Sequence, residues 1–209
     1  MKRILLIVLC LLLCSGAPIF NAFAVSGSDI EDMIPAFDSI MRVMLPEGAQ
    51  YDPLAPEFFW EAIYLMAVNW SGDVEFEENG YDTYDQKIDY ESCELLLSAM
   101  AVREMAIALF ADYDGLLPIP DSISYLAEYD DESGVYRFPL SDAGDSYAKI
   151  DRYELSLQNF VFVVYTSLVS CSDDETLLSV KFELMPNTDS GDVILRYFPY
   201  SIVSAEIVK

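Results

Sequence analysis

The sequence predicts an α+β fold in which about three N-terminal helices cover one face of a C-terminal antiparallel β-meander of four to six strands. Apolar residues recur at helical spacing before residue 110, and segments with strand-like patterns joined by turn signals follow residue 128. The stretch 159–170 gives the third observation. Its apolar and aromatic side chains from Phe160 to Tyr165 fall on both faces of a strand, which indicates a central strand of the sheet.

The first predicted helix covers residues 30–45, where apolar residues at steps of three and four line one face. Pro35 predicts a kink or a start near Asp32, because proline removes one backbone hydrogen bond from a helix interior. A second helix is predicted over 56–70, with Pro56 in the first turn, where proline is tolerated. It has almost no polar face, so we expect other elements or a partner chain to bury it.

A third helix is predicted over 91–110, which is apolar nearly all round, so the helical part spans 28–110. Residues 71–91 between the second and third helices alternate carboxylates with tyrosines and are predicted to form an acidic loop. The loop lacks the register of an EF-hand but offers three candidate cation ligands: Asp82, Asp85 and Asp89.

The β part is predicted over 128–208, after a short helical turn near 121–127. Its strands are separated by turn signals and are predicted over five segments: 135–140, 147–157, 159–170, 178–184 and 200–208. The segment 178–184 alternates apolar and polar residues, which is typical of a strand with one face exposed to solvent. Cystatin-like and nuclear-transport-factor-like domains share this order of helices leading into a meander, a similarity of architecture alone.

Residues 1–24 have the pattern of a secretory signal peptide. Two basic residues precede an unbroken apolar run over 4–13, and a small-x-small site ends at Ala24, which predicts cleavage before Val25. The alternatives are a lipoprotein acylated at Cys14, which Leu13 disfavours, and an uncleaved membrane anchor. Cleavage would leave 25–209, a length typical of one domain.

The chain carries 36 acidic and 11 basic residues, a net charge of −25 at pH 7, and loss of the signal removes two of the basic ones. Such a field repels phosphates and anionic lipid headgroups, which argues against nucleic-acid binding and peripheral membrane binding. It favours solubility outside the cell and is compatible with cation binding.

Two cysteines, Cys93 and Cys171, remain after signal cleavage. In an exported protein they could form a disulfide. The sequence places Cys93 on a helix and Cys171 at a strand end, and spacing alone does not decide whether they meet.

The sequence has no histidine, no glycine-rich phosphate loop and no Cys-x-x-Cys pair, so no cofactor is predicted and the usual general base is missing. Carboxylate chemistry remains, and two carboxyl groups flanking a sugar could hydrolyse a glycan. Glu104 is the candidate acid, because only it and Arg103 interrupt the apolar run of the third helix. The structural interpretation is that Glu104 pairs with an arginine or reaches the helix edge.

Aromatic residues suggest a binding platform for sugars or peptide side chains, against the alternative that they belong to the core: Trp60, Tyr64, Trp70, Tyr81 and Tyr84. The sequence therefore favours an exported, non-catalytic protein with a binding or assembly role at or outside the cell envelope. Its partner would be a protein, a glycan or, through the second helix, another copy of the chain. The alternatives are a carboxylate-dependent glycan hydrolase and an acidic binder of cations or glycans.

Overall fold

The computed structural model describes residues 27–46, 49–71, 86–141, 144–156, 161–187 and 198–208. They form an α+β fold with helices near the N-terminal end and two antiparallel sheets of four strands, which confirms the predicted fold class. The predicted signal peptide and most of the acidic loop lie outside the described residues.

Four helices are described: α1 (Gly27–Glu31), α2 (Ile34–Met44), α3 (Pro56–Ser71) and α4 (Ala99–Leu109), with a 3-10 turn at Asp121–Ile123. The chain breaks between α1 and α2 and places Pro35 in the first turn of α2, as the proline predicted. The bounds of α3 agree with the predicted second helix.

The first sheet contains β1 (Gln86–Asp89), β2 (Glu94–Ser98), β3 (Glu128–Asp130) and β4 (Val135–Pro139), in the order β1-β2-β4-β3.

Strands β1 and β2 lie where the sequence predicted the end of the acidic loop (71–91) and the start of the third helix (91–110), within the predicted helical part (28–110). These three predictions are therefore wrong in part. Leu95 and Leu97 are fully buried in β2, opposite Phe138 and Tyr136 of β4. A run of leucines fits a strand as well as a helix, and pairing with a distant strand decides between them. The helix begins only after Ser98, whose Oγ accepts a hydrogen bond from the Ala101 backbone N–H.

The second sheet contains four of the five strands predicted for the meander, β5 (Ser146–Ser156), β6 (Val161–Ser170), β7 (Thr176–Pro186) and β8 (Tyr200–Ile207), side by side in chain order. The strand predicted over 135–140 is β4 and belongs to the first sheet instead. β6 lies between β5 and β7, as predicted for the apolar strand. Its helix-facing side packs on α2, where Thr166 Oγ1 lies 3.3 Å from Met41 Sδ. On the other side Arg152 covers the Tyr165 ring, with 3.7 Å between the guanidinium carbon and the ring centroid.

Helix α3 is buried within the chain itself. It contacts α2, α4, β2 and β4, and its large apolar side chains are buried: Phe58, Phe59, Trp60, Ile63 and Met66. The apolar excess of this helix therefore needs no partner chain, and the expectation of assembly that rested on it loses its support. No helix in the described part of the chain is long and apolar enough to cross a bilayer.

Candidate functional site

A groove of about 800 Å³ opens between the two sheets, along the outer side of α4. Helix α4 contributes Arg103 and Ile107, and the segment after it contributes Tyr113 and Asp114. The first sheet contributes two aromatic rings, Tyr129 from β3 and Tyr136 from β4. The second sheet contributes the ends of two neighbouring strands: Met185 and Pro186 from β7, and Ser201 from β8. A concave site of this size suits a small ligand or a few sugar rings.

Tyr129 and Tyr136 form the aromatic side of the groove. They are opposite each other across β3 and β4, with ring centroids 4.7 Å apart and ring planes at 42°. Tyr136 is 9% exposed and rests against the Trp60 ring, at a centroid distance of 5.4 Å, while Tyr129 is 41% exposed. The exposed Tyr129 ring thus packs against Tyr136, which in turn packs against Trp60, and this row of rings holds the aromatic side of the groove in place.

Among the described lining residues the one cation is Arg103, which lies exposed on α4. Burial raises the pKa of the Tyr113 hydroxyl, and the positive charge of Arg103 partly opposes that rise. Burial also raises the pKa of Tyr136, the neighbouring Tyr129 and Tyr113 raise it further, and the charge of Arg103 opposes the rise. Three phenol groups and one guanidinium therefore share a small region.

No ion pair or hydrogen bond joins Arg103 to another residue in the described part of the chain. In a chain with 36 acidic residues, a guanidinium beside a cavity and without such a partner is available to a ligand.

The side of the groove near β7 and β8 is held by Asn187. Its Nδ2 donates to the Phe198 carbonyl at 2.8 Å, and its Oδ1 accepts a hydrogen bond from Ser201 Oγ. These bonds tie the end of β7 to the start of β8, so the amide shapes the groove.

Glu104, the predicted acid, is buried at 6% exposure on α4, as the sequence suggested, but it does not line the groove. Among the described lining residues the one carboxylate is Asp114. A pair of carboxyl groups on either side of a bound sugar is the requirement for hydrolysis, and the described lining does not provide it.

The two residues of the predicted aromatic platform whose side chains are described are closed to ligands. Trp60 is buried and donates from Nε1 to the Leu117 carbonyl at 2.9 Å, and the buried Tyr64 hydroxyl donates to Ser141 Oγ at 2.7 Å. Both therefore follow the alternative interpretation as core residues. The side chain of Trp70, and the whole of Tyr81 and Tyr84, lie outside the described residues.

Of the three candidate cation ligands, Asp82 and Asp85 lie outside the described residues. Asp89 ends β1, and its Oδ1 accepts the backbone N–H groups of Glu91 at 3.0 Å and Ser92 at 3.4 Å. These bonds, led by the one from Glu91, lower the pKa of Asp89. The carboxylate thus organises the β1–β2 turn, and the described residues contain no cluster of three or more acidic or cysteine side chains that could hold a metal.

Cys93 lies in the β1–β2 turn rather than on a helix, and Cys171 lies in the β6–β7 turn. Both thiols are exposed and free, so the structure does not form the bridge that the sequence left open. The predicted cleavage site at Ala24 and Val25, and the alternative acylation site Cys14, lie outside the described residues.

Sequence reasoning missed the tyrosines of the groove. Arg103 was recognised only as a charge that interrupts an apolar helix. Alternation in β4 puts Tyr136 on the same side as the buried Phe138, and this pattern could have indicated that Tyr136 faces the helices. The strand β3 that carries Tyr129 is three residues long and was not predicted at all.

Comparison of the chain with protein-family models, with curated proteins and with solved structures found no match.

Proposed function

We propose that this chain is an exported, non-catalytic binding protein that holds a glycan in the groove along α4, at or outside the cell envelope. The observation that carries the proposal is the combination of the supported Tyr129 ring with the guanidinium of Arg103, which has no ion-pair partner among the described residues, at one cavity. Sugars stack their apolar faces on aromatic rings and direct hydroxyl groups to nearby polar atoms.

The shape of the site favours a glycan over a protein partner. A stable protein interface buries on the order of 1,600 Å² over a broad surface. The groove is concave, with a volume of about 800 Å³, and it combines aromatic rings with a few polar groups, as small-ligand sites do.

Binding without catalysis is supported by the residue types present. The sequence contains no histidine, and the one carboxylate of the described lining, Asp114, has no second carboxylate beside it there to share acid and base roles.

Export is the part of the proposal that rests on the sequence of residues 1–24. It is tested by expressing the full chain with its own N-terminus and measuring the intact mass of the processed protein. A mature chain beginning at Val25 is expected. A chain that keeps residues 1–24, or one that carries lipid on Cys14, contradicts the proposed cleavage.

Ligand binding is tested by probing a glycan array with labelled protein in two variants and the wild type. Tyr129→Ala removes the exposed ring of the groove. Tyr125→Ala removes a ring that is 69% exposed and does not line the groove, and it is the matched control. We expect signal from the wild type and from Tyr125→Ala, and loss from Tyr129→Ala. An array without signal, or equal signal from all three proteins, overturns the proposal.

A further inference from the structure

The surroundings of Arg103 bear on what kind of sugar the groove accepts. Arg103 projects from α4, where the residues three and four positions away are all uncharged: Ala99, Met100, Ala106 and Ile107. A helical arginine normally finds its ion-pair partner at those positions, so the helix supplies none here. The adjacent Glu104 is buried and does not line the groove.

We infer that the glycan bound in this groove carries a carboxylate, as a uronic acid does, and that this carboxylate binds the guanidinium of Arg103. The inference rests on the proposed glycan-binding function and adds the chemical class of the sugar. A planar guanidinium matches a carboxylate with two parallel hydrogen bonds. The same sugar ring would lie against Tyr129, whose ring lies in the same groove.

The charge of the whole chain limits how acidic the ligand is. With a net charge of −25, the protein repels anions over distances up to the screening length, about 8 Å at physiological salt. One carboxylate placed on Arg103 is locally compensated, whereas a densely sulfated polymer would meet repulsion over its whole length. Asp114, in the same lining, disfavours a second anion and can accept sugar hydroxyl groups. The ligand is therefore sparsely acidic.

The test compares a tetrasaccharide that contains one glucuronate with the same tetrasaccharide after reduction of its carboxyl group to an alcohol. Isothermal titration calorimetry is run with the wild type, Arg103→Gln and Tyr129→Ala. Lys149→Gln is the control, because Lys149 is an exposed cation on β5 that lies outside the groove, and its loss changes the net charge by the same amount.

The wild type and Lys149→Gln are expected to bind the acidic sugar roughly tenfold more tightly than the reduced sugar, the range of one charge-assisted contact. Arg103→Gln should bind both sugars with the weaker affinity, and Tyr129→Ala should weaken both. Equal affinity of the wild type for the two sugars overturns the carboxylate inference and leaves the groove as a glycan site. Unchanged preference in Arg103→Gln overturns it too. Absence of binding to either sugar overturns the inference and counts against the proposed function as well.

Discussion

Asp38 shows how one buried charge joins three elements. It is 6% exposed on α2, and its Oδ2 accepts hydrogen bonds from Arg42 Nε at 2.5 Å and from Asn69 Nδ2 of α3 at 2.6 Å. Arg42 in turn donates to the Ser146 carbonyl at the start of β5. Asp38 and Arg42 thus fasten two helices to the edge of the second sheet.

Substitution Asp38→Ala is expected to destabilise the protein by about 3 kcal/mol, because it leaves the largely buried guanidinium of Arg42 without its carboxylate. Urea unfolding followed by circular dichroism measures the change. Asp32→Ala, at an exposed aspartate between α1 and α2, is the control and should change the free energy of unfolding by no more than about 0.5 kcal/mol. A similar small change for Asp38→Ala would contradict the role of this pair.

The titration of Asp38 should contribute to the pH dependence of the free energy of unfolding. Burial raises the pKa of its carboxyl, and the hydrogen bond and charge of Arg42, the Ala148 N–H and Asn69 oppose that rise without cancelling it. The folded protein therefore holds this proton at a higher pH than the unfolded chain does. The stability that this protonated carboxyl contributes is fully present below the pKa of aspartate in the unfolded chain, about 3.9, and is lost as pH rises through the pKa in the folded protein.

We expect the difference in unfolding free energy between the wild type and Asp38→Asn to fall as pH rises from about 3.5 towards 7. Urea titrations of both proteins at several pH values give this difference, and subtraction removes the contribution of the other carboxylates. A difference that grows with pH would mean that Arg42 lowers the pKa of Asp38 in the fold.

Among the elements, α4 shows how a strand passes directly into a helix. Ser98 is the last residue of β2 and the N-cap of α4, with extended backbone angles and an Oγ that accepts the Ala101 N–H at 3.2 Å. An N-cap serine satisfies one of the backbone donors that a helix start leaves open. Since α4 carries Arg103, this cap also helps to fix the groove.

Substitution Ser98→Ala should lower the free energy of unfolding by about 1 kcal/mol, the usual cost of losing an N-cap side chain. Ser98→Asp keeps an acceptor at the same place and should retain most of the stability. Chemical denaturation of the three proteins is the measurement. Equal destabilisation by both substitutions would show that the strand position of Ser98, and not the cap, determines its contribution.

The same element shows where prediction from sequence succeeds. Helix α3 could be predicted to within a residue or so, because Pro56 marks its start and its apolar residues are local to it. β2 could not, because Leu95, Leu96 and Leu97 fit helix and strand alike, and only pairing with β4, about forty residues away, selects the strand.

The groove could not be predicted from the sequence, for a related reason. Arg103 could be recognised as an isolated charge, but its neighbours Tyr129 and Tyr136 are brought together by a hairpin whose first strand is three residues long. The turn of that hairpin places Gly134 at a positive φ of 71°, which glycine adopts without strain. A turn signal marked this place, but no pattern showed which side chains would face α4.

At the scale of the whole molecule, the helices connect two sheets through shared packing. Residues from both sheets and from α2, α3 and α4 belong to one buried cluster. A Cys93–Cys171 bridge would have tied a hairpin of the first sheet to a hairpin of the second. The structure leaves both thiols free, so the packing holds the sheets together without this covalent link.

A recombinant chain that begins at Val25, and so lacks Cys10 and Cys14, should therefore react with two equivalents of a thiol reagent while native and without prior reduction, because Cys93 and Cys171 are both exposed. Cys93→Ser and Cys171→Ser should each leave one reactive thiol. Added reductant should leave Tm unchanged, since a bridge that is not formed cannot restrict the unfolded chain. A native protein that shows no reactive thiol, and whose Tm falls on reduction, would mean that the two turns meet after all and that the sheets are covalently joined.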